Sequence, residues 1–520
     1  MSKIDVVLGI DVGGTNTDAV ILDLSNRPVG KAKTPTTEDV TTGILRALDL
    51  VLAQSSVSPS DISHAMLGTT HCTNAIVERE RLSEIGIIRL GAPATLAIKP
   101  LTAWPLDLRE KLGKHCYVVE GGHEYDGKEI APLDEAAVRR IAEELRGCVS
   151  AIAVSGAFSP VNPDHERRVG EILRDVYGDD FPISLSYEIG SIGLLERENA
   201  TVLNAAVVEV AKRAAEAFRS ALQAKGISAT LYFTQNDGTL MALEYAMRYP
   251  ILTVASGPAN SIRGAAYLSG LADAIVIDVG GTTTDVGVLA KGFPRESAVA
   301  VEIGGVRTNF RMPDLISLGL GGGSLVRRVD GRMIVGPQSV GYRLTERALV
   351  FGGDTLTMTD VAVSRGMAKL GDAAALRNIS ARDVEEAFAV AVSLVEETID
   401  RIKTSAEPVP VIGVGGGSIL LPPAIRGASE VIRPDHFEVA NAIGAAIAQV
   451  SGEIDRVYSL EGRVREDVLA EAKEAARQEA IKAGADVDSI EIIEVDEIPL
   501  AYLPSNAVRL RCKAAGSLAG

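Results

Sequence analysis

One nine-residue motif occurs twice in this chain, half a chain apart. Residues 10–18 read IDVGGTNTD and residues 277–285 read IDVGGTTTD, identical at eight of nine positions. Each copy follows a short apolar run (VVLG, AIV) and precedes another (AVILD, VGVLA). Apolar run, glycine turn, apolar run predicts a β-hairpin in each half of the protein. At 520 residues the chain exceeds the usual size of one hydrophobic core. Two matched hairpins in such a chain predict two related domains facing each other.

A phosphate group needs several backbone N–H donors aimed at one point, with no side chain in the way. Gly13-Gly14 and Gly280-Gly281 supply that freedom at the hairpin tips, and Asn16 and Thr283 complete the two loops. Thr15, Thr17, Thr282 and Thr284 add hydroxyls. Asp11 and Asp278 end the first strand of each hairpin, where a carboxylate can hold Mg²⁺ or its waters. Two such hairpins across a cleft would grip the β- and γ-phosphates of ATP from both sides. A single DVGGT reads equally well as a tight turn; a matched pair does not. Gly413, Gly415, Gly416 and Gly417 follow the strand-like VPVIGV, and a glycine surface there would let an adenosine ring lie flat on the backbone. Taken alone, that cluster is a common strand-to-helix turn.

Between and beyond the repeats the signals alternate. Asp134 reads as an N-cap for a helix through Leu145, with Val138, Ile141, Ala142 and Leu145 on one face. Residues 150–158 read as a buried strand, 159–163 as a turn, and 164–177 and about 196–224 as helices. A further glycine cluster, GLGGGS, occupies 319–324. The small-residue stretch Ala440 to Gly452 reads as a helix able to pack very closely on a neighbour. A charged helix at 464–483 and the strand-like SIEIIEV and AVRLRCK form a small appended α/β unit. The expected division is 1–205, 206–455 and 456–520, within an α/β fold of helix-covered sheets.

Charge and motif content exclude several classes. The formal charge is −17 and the pI about 5.0, a field that repels polyanions, and no basic stretch interleaved with aromatics is present, so nucleic acid is not an expected partner. The four cysteines form no CxxC pair. The start MSKIDVVLGID carries Lys3 and Asp5 and enters a strand at once, unlike a signal peptide. The uncharged run Pro408 to Ile425 holds four prolines and four glycines and cannot be a spanning helix. No membrane segment is expected, and the chain reads as cytoplasmic. The nearest approach to a Walker A loop runs from Gly122 to Gly127-Lys128, but Glu129 stands where Ser or Thr should be. No GxSxG elbow occurs.

The order of hairpin, second hairpin, adenosine glycines and small-residue helix resembles the actin/Hsp70/sugar-kinase ATPase superfamily. Within it the chain resembles the hydantoinase/oxoprolinase family, hydantoinase A type. The matching segments are LGTTHCTNAIVERE (67–80), SGAFSPVNPDHE (155–166), LLERENATVLNAA (194–206), QNDGTLM (235–241), SGPANSIRGAA (256–266), VIDVGGTTTDVGVL (276–289) and SLGLGGGS (317–324). The likeness runs to about residue 455. It implies a two-lobed actin-like (ribonuclease H-like) fold with a small C-terminal α/β appendage, and ATP with Mg²⁺ as cofactors. The implied chemistry is ATP-driven opening of a cyclic amide such as a hydantoin or 5-oxoproline, or a related ATP-driven carboxylation.

Many larger relatives carry a Pro-Gly-Pro-Ala-Cys-Tyr type segment after the GGGS region. Here that stretch is GPQSVGYRLTERALVFGGD (336–354), without cysteine. The chain is also shorter than those relatives. Both points leave the substrate open and imply a separate companion subunit, hydantoinase B-like or other. By resemblance Gly68, Thr69, Thr70, His71 and Asn74 face the substrate; as a plain helix start, Thr73 or Asn74 would act only as an N-cap. His115, His123, Glu124 and Asp126 cluster in sequence and would make a second metal site with Asp39 or His71. Their spacing matches no standard metal motif, and a solvated loop is the simpler reading. Two other functions fit the same fold: a small-molecule kinase, and a regulatory ATPase stimulated by a protein partner.

Overall fold

The computed structural model describes residues 6–37, 39–297, 301–310, 312–501 and 506–518; Lys3 and Asp5 lie outside them. Both repeats fold as hairpins. β1 (Val6–Val12) pairs with β2 (Asn16–Leu22), and β11 (Ala274–Val279) pairs with β12 (Thr284–Ala290), each antiparallel and in the same register.

Each hairpin nucleates a sheet. The first continues through β3 (Pro28–Pro35) on one side and β4 (Ile62–Thr69), parallel to β1, on the other. Four strands, β5 (Ile85–Ala92), β6 (His115–Glu120), β7 (Ala151–Gly156) and β8 (Ile183–Leu185), form a separate parallel sheet in the order β6-β5-β7-β8. The chain then returns to the first sheet with β9 (Thr230–Thr234) and β10 (Leu240–Ala242). The second hairpin is extended by β13 (Phe293–Pro294), β16 (Leu315–Leu318), β19 (Val409–Val414) and β20 (Ala428–Ile432). Two small hairpins, β14–β15 (Val301–Ile303, Val306–Thr308) and β17–β18 (Ser324–Val329, Arg332–Ser339), stand outside it.

β21 (Val450–Tyr458), β22 (Glu491–Pro499) and β23 (Val508–Gly516) join the first sheet edge-on, giving the order β22-β23-β21-β10-β9-β4-β1-β2-β3. Segments on both sides of the expected boundaries at 205 and 455 therefore share one sheet. The repeat marks where each lobe begins but not where the chain crosses back. The appended unit is a continuation of the first sheet, covered by α13 (Arg465–Lys482), whose alanine face packs so closely that a Cβ at Gly452 would lie 2.0 Å from Ala480 N.

The remaining helices cover these sheets in chain order: α1 (Val40–Gln54), α2 (His71–Glu78), α3 (Leu106–Leu112), α4 (Glu135–Leu145), α5 (Asp164–Tyr177), α6 (Leu194–Ala224), α7 (Leu243–Arg248), α8 (Ser256–Ser269), α9 (Leu344–Arg347), α10 (Met358–Ser364), α11 (Ala381–Ile402) and α12 (Ala440–Ala446). Asp134 caps α4 through the N–H of Ala137 at 2.8 Å, and Val138, Ile141, Ala142 and Leu145 are its buried face. The helix expected over 440–452 ends at Ala446, because the chain must turn into β21 at Val450.

α8 and α12 lie between the two main sheets, α12 against β1 and β2, α8 against β11 and β12. Small residues let their backbones touch: a Cβ at Gly264 would sit 1.9 Å from Ala440 O, and one at Gly444 1.8 Å from Asn260 O. This close contact fixes how the two hairpins meet. Among the described residues no helix is long and apolar enough to cross a membrane.

Candidate functional site

The two hairpin tips converge. Gly13 N donates to Asn16 O at 3.0 Å and Gly280 N to Thr283 O at 2.9 Å, so the two loops close alike. Thr15 Oγ1 and Thr282 Oγ1 lie 3.2 Å apart. A Cβ at Gly281 would come 2.7 Å from Thr15 Cγ2, so only glycine allows the tips to touch. Beside this contact opens a cleft of about 700 Å³.

Carbonyl oxygens at the tips would repel phosphate, and the structure occupies them from behind. Thr36 Oγ1 donates to Gly13 O at 2.7 Å, while the N–H groups of Gly322 and Gly323 donate to Gly280 O (3.0 Å) and Gly281 O (2.7 Å). The GLGGGS segment thus acts as a backbone buttress for the second tip. Gly415, at φ +80°, and Gly417 close over that same tip, where Cβ atoms would meet Asp278 Oδ1 at 2.1 Å and Gly280 O at 2.8 Å.

Asp11 is opposite Asp18, and Asp278 opposite Asp285. All four line the cleft, with Glu78 and Glu438. Asp11 accepts from Asn441 Nδ2 (2.9 Å) and Asn260 Nδ2 (3.3 Å). Asp18 accepts from Lys33 Nζ at 2.7 Å on both oxygens and from Asn441 Nδ2 at 2.9 Å. Asp278 accepts from Ser261 Oγ at 2.5 Å, and Asp285 from the Ser317 hydroxyl. Burial disfavours their charged forms. It lifts Asp11 to about 6, with Asp18 adding to the effect, and lifts Asp285 to about 6, with Asp278 adding; Asp18 and Asp278 are also raised, again chiefly by burial.

Of the residues singled out from the sequence, Asp11, Gly13, Gly14, Thr15, Asn16, Thr70, Asn74, Asp278, Gly280, Gly281, Thr282, Thr283, Gly415, Gly416 and Gly417 line this cleft. Others do not. Gly413 lies inside β19 opposite Ile277, where a Cβ would meet Leu421 Cδ1 at 2.8 Å, so it is a packing glycine. Thr69 ends β4 with its side chain buried and bonded to His71 Nδ1. His71 does not line the cleft, and burial, then Arg81, depress its pKa to about 4. Thr70 rather than Thr73 or Asn74 stands at the N-cap of α2, and its hydroxyl donates to Val12 O at 3.3 Å.

The alternative of a second metal cluster is not assembled, in line with the simpler reading of this stretch as a loop. His123 stacks on His165 with ring centroids 4.4 Å apart, Asp126 pairs with Lys128, Asp39 caps α1 through Thr42 N, and His115 lies beside Glu84. Among the described residues no group of three or more His, Cys, Asp or Glu is placed to hold a metal. Neighbours along the 115–126 stretch diverge because a strand end and a turn separate them.

Sequence reasoning passed over Asp18 and Asp285, although each is the ninth residue of the repeat. Lys33, Ser261, Asn441 and the rim residues Tyr342, Leu344 and Thr345 come from separate elements, and no local pattern announces them; Glu78 follows Asn74 by four residues within the 67–80 segment.

Comparison with known proteins follows from this geometry. Residues 7–177 match the family model described as hydantoinase/oxoprolinase N-terminal region, and residues 197–367 that described as hydantoinase/oxoprolinase. The chain is 29% identical over 399 residues to the caprolactamase subunit alpha of Pseudomonas jessenii, covering 70% of this chain and 55% of that one. It is 29% identical over 402 residues to the acetophenone carboxylase gamma subunit of Aromatoleum aromaticum, covering 69% and 53%. This chain thus spans about half the length of these curated relatives. A solved structure of ATP-dependent caprolactamase from Pseudomonas jessenii superposes with a TM-score of 0.79 at 22% identity, over 99% of this chain and 88% of that one. That likeness shows the fold.

Proposed function

This chain belongs to the hydantoinase/oxoprolinase family, and from that premise we propose that it is an ATP-dependent enzyme subunit that opens a cyclic amide of the hydantoin or 5-oxoproline class by phosphorylating the amide oxygen. The observation that carries the reading is the pair of converging hairpins, with Thr15 and Thr282 in contact and two aspartates behind each tip.

The residues present fit a metal–nucleotide complex. Six carboxyl groups and one cation, Lys33, line the cleft, and Lys33 is already engaged by Asp18. A bare triphosphate would meet net negative charge there, whereas a divalent cation on the phosphates reverses the sign. A Cβ at Gly14 would find no atom within 4 Å, so the first tip is open to a ligand. Asp11 and Asp278 would hold Mg²⁺ or its waters together with phosphate oxygens, and Gly415 to Gly417 would face the adenosine. ATP supplies a transferable phosphoryl group that makes an unreactive amide carbon open to water.

The chain's own share is orientation and charge. The tips bring two threonine hydroxyls to one point, and the occupied carbonyls behind them remove competing negative dipoles. Converging tips fix donor and acceptor together, the step that lowers the entropic part of the barrier. Ionisation of Asp11 and Asp285 is costly in the buried cleft and becomes favourable when a cation arrives. The relatives' names describe subunits, which supports a companion subunit completing the site.

A second reading is supported by the likeness to the acetophenone carboxylase gamma subunit: the phosphorylated oxygen would then belong to a ketone that goes on to be carboxylated. Phosphate release from Mg·ATP, with hydantoins, 5-oxoproline, other lactams and ketones as stimulants, separates the two. A lactam that drives phosphate release with stoichiometric ring opening establishes the amidase. Stimulation by a ketone with bicarbonate, and by no lactam, would replace it with the carboxylase. A stable phosphorylated product would identify a kinase.

A further inference from the structure

Of the six carboxyl groups lining the cleft, five are engaged. Asp11, Asp18, Asp278 and Asp285 accept the hydrogen bonds described above, and Glu438 pairs with Lys31 Nζ at 2.5 Å. Glu78 takes no hydrogen bond or ion pair from the described residues and still lines the cleft. It is the last residue of α2, where the helix dipole disfavours a negative charge. Its side chain is exposed to solvent and unpaired among the described residues, so its carboxylate is free to meet a ligand in the cleft.

Thr70, Asn74 and Glu78 recur every fourth residue, so they share one face of α2, and all three line the cleft. Thr70 marks the phosphate end: a Cβ at Gly257 would lie 3.6 Å from Thr70 Cγ2 and 3.9 Å from Asp11 Oδ1. Glu78 stands about 12 Å further along the helix axis, and its side chain leans back toward the N-terminus.

We propose that Glu78 is the base that takes the ring N–H proton as the amide oxygen is phosphorylated, and the acid that returns it when the ring opens, so that the substrates are secondary and not N-substituted lactams. The inference rests on the cyclic-amide reading above. The amide oxygen bonds to the γ-phosphorus as its bond to the bridging oxygen of ADP breaks; the N–H electron pair becomes the C=N bond and the proton goes to Glu78. The product is a cyclic imidate phosphate. Glu78 hands the proton back to nitrogen, and water adds to the carbon, losing its proton to Glu78. That proton goes to nitrogen as the C–N bond breaks, and the hydroxyl proton follows to complete the ammonium. An acyl phosphate remains, which a second water hydrolyses.

The test uses the full chain with its co-purifying companion subunit. 5-Oxoproline, hydantoin and 2-pyrrolidone are each compared with the fully N-methylated form for phosphate release and ring opening. The expected result is at least about 10²-fold slower turnover of the N-methyl forms, with Glu78→Gln costing about 10²–10³-fold in kcat on the parent lactam. Glu78→Asp should restore part of the lost kcat, and KM for the lactam should change little in either variant. A parent lactam that drives ring opening while its N-methyl form, or the Glu78→Gln enzyme, keeps pace within a few-fold overturns this inference and leaves the amidase reading standing. If no lactam drives phosphate release, both fall together.

Discussion

The first hairpin tip is buttressed mainly by side chains; the second mainly by backbone, with Ser339 Oγ adding a bond to Gly281 O at 3.3 Å. Thr36 covers the Gly13 carbonyl, and Asn441 bridges Asp11 and Asp18 while Lys33 neutralises Asp18. At the second tip, Gly322 and Gly323 cover the carbonyls, Gly415 and Gly417 press on Asp278 and Gly280, and the aspartates receive only serine hydroxyls. The same nine residues therefore sit in a mount with a direct ion pair, Lys33 to Asp18, on one side, and in a sterically fixed mount on the other, where Lys33 acts on Asp278 only at a distance. Sequence identity in the motif equalises the loops; the difference in support separates what the two aspartate pairs can do.

Removing a carboxylate should break the comparison most sharply. Asp278→Asn is expected to lower ATP turnover by about 10³-fold or more, because among the described residues no amide bridges Asp278 to Asp285 as Asn441 bridges Asp11 to Asp18. Asp11→Asn should cost less, about 10²-fold, since Asp18 remains bridged through Asn441. Phosphate release in single-turnover conditions measures both, and equal losses would dissolve the asymmetry.

The glycines sharpen the contrast by sterics. A methyl group at Gly281 meets Thr15 Cγ2 at 2.7 Å, whereas one at Gly14 meets no atom within 4 Å. Gly281→Ala should push the tips apart, reducing stability by about 1–3 kcal/mol and nucleotide affinity with it. Gly14→Ala should weaken nucleotide binding through obstruction while leaving the denaturation midpoint within about one degree, since it adds no internal clash. Isothermal titration with ADP and a thermal melt, run on both variants, distinguish the two outcomes.

What the sequence disclosed follows the same division. The hairpins, the α4 cap at Asp134, and helices α5 and α13 were legible because each is written in consecutive residues, by glycine turns or helical spacing. The second mount was half legible, since Gly415 to Gly417 stand together. The first mount was not: Lys33, Asn441 and Thr36 reach one point from a strand, a distant helix and a loop, and only the fold brings them together. The second metal cluster, the less simple of the two readings of 115–126, is not assembled for the converse reason. His123 and Asp126 are neighbours in the chain, but His123 stacks on His165 and Asp126 turns to Lys128. Thr69 misled in the same way, because a strand's last residue can face inward while Thr70 beside it faces the cleft.

The smallest expected effect concerns stability and its sign. Asp11 and Asp285 have folded-state pKa values of about 6, above the ordinary 3.8. A raised carboxyl favours the fold below the unfolded-state value, and that contribution is lost as pH climbs through the folded-state value. Between about pH 4 and pH 6 the wild-type chain should therefore lose stability at these two positions. Asp285→Asn abolishes the Asp285 part of that loss, so the variant should be about 1–3 kcal/mol more stable than wild type at pH 7.5 and equal to it at pH 4. Asp18→Asn is the informative counterpart, because it leaves the Lys33 ammonium without its carboxylate and should bring no such gain at pH 7.5. Denaturant unfolding at the two pH values, run on all three proteins, decides it: a gain of the same size in Asp18→Asn would mean that Lys33 does not compensate the first pair, and the two mounts would then differ in shape alone.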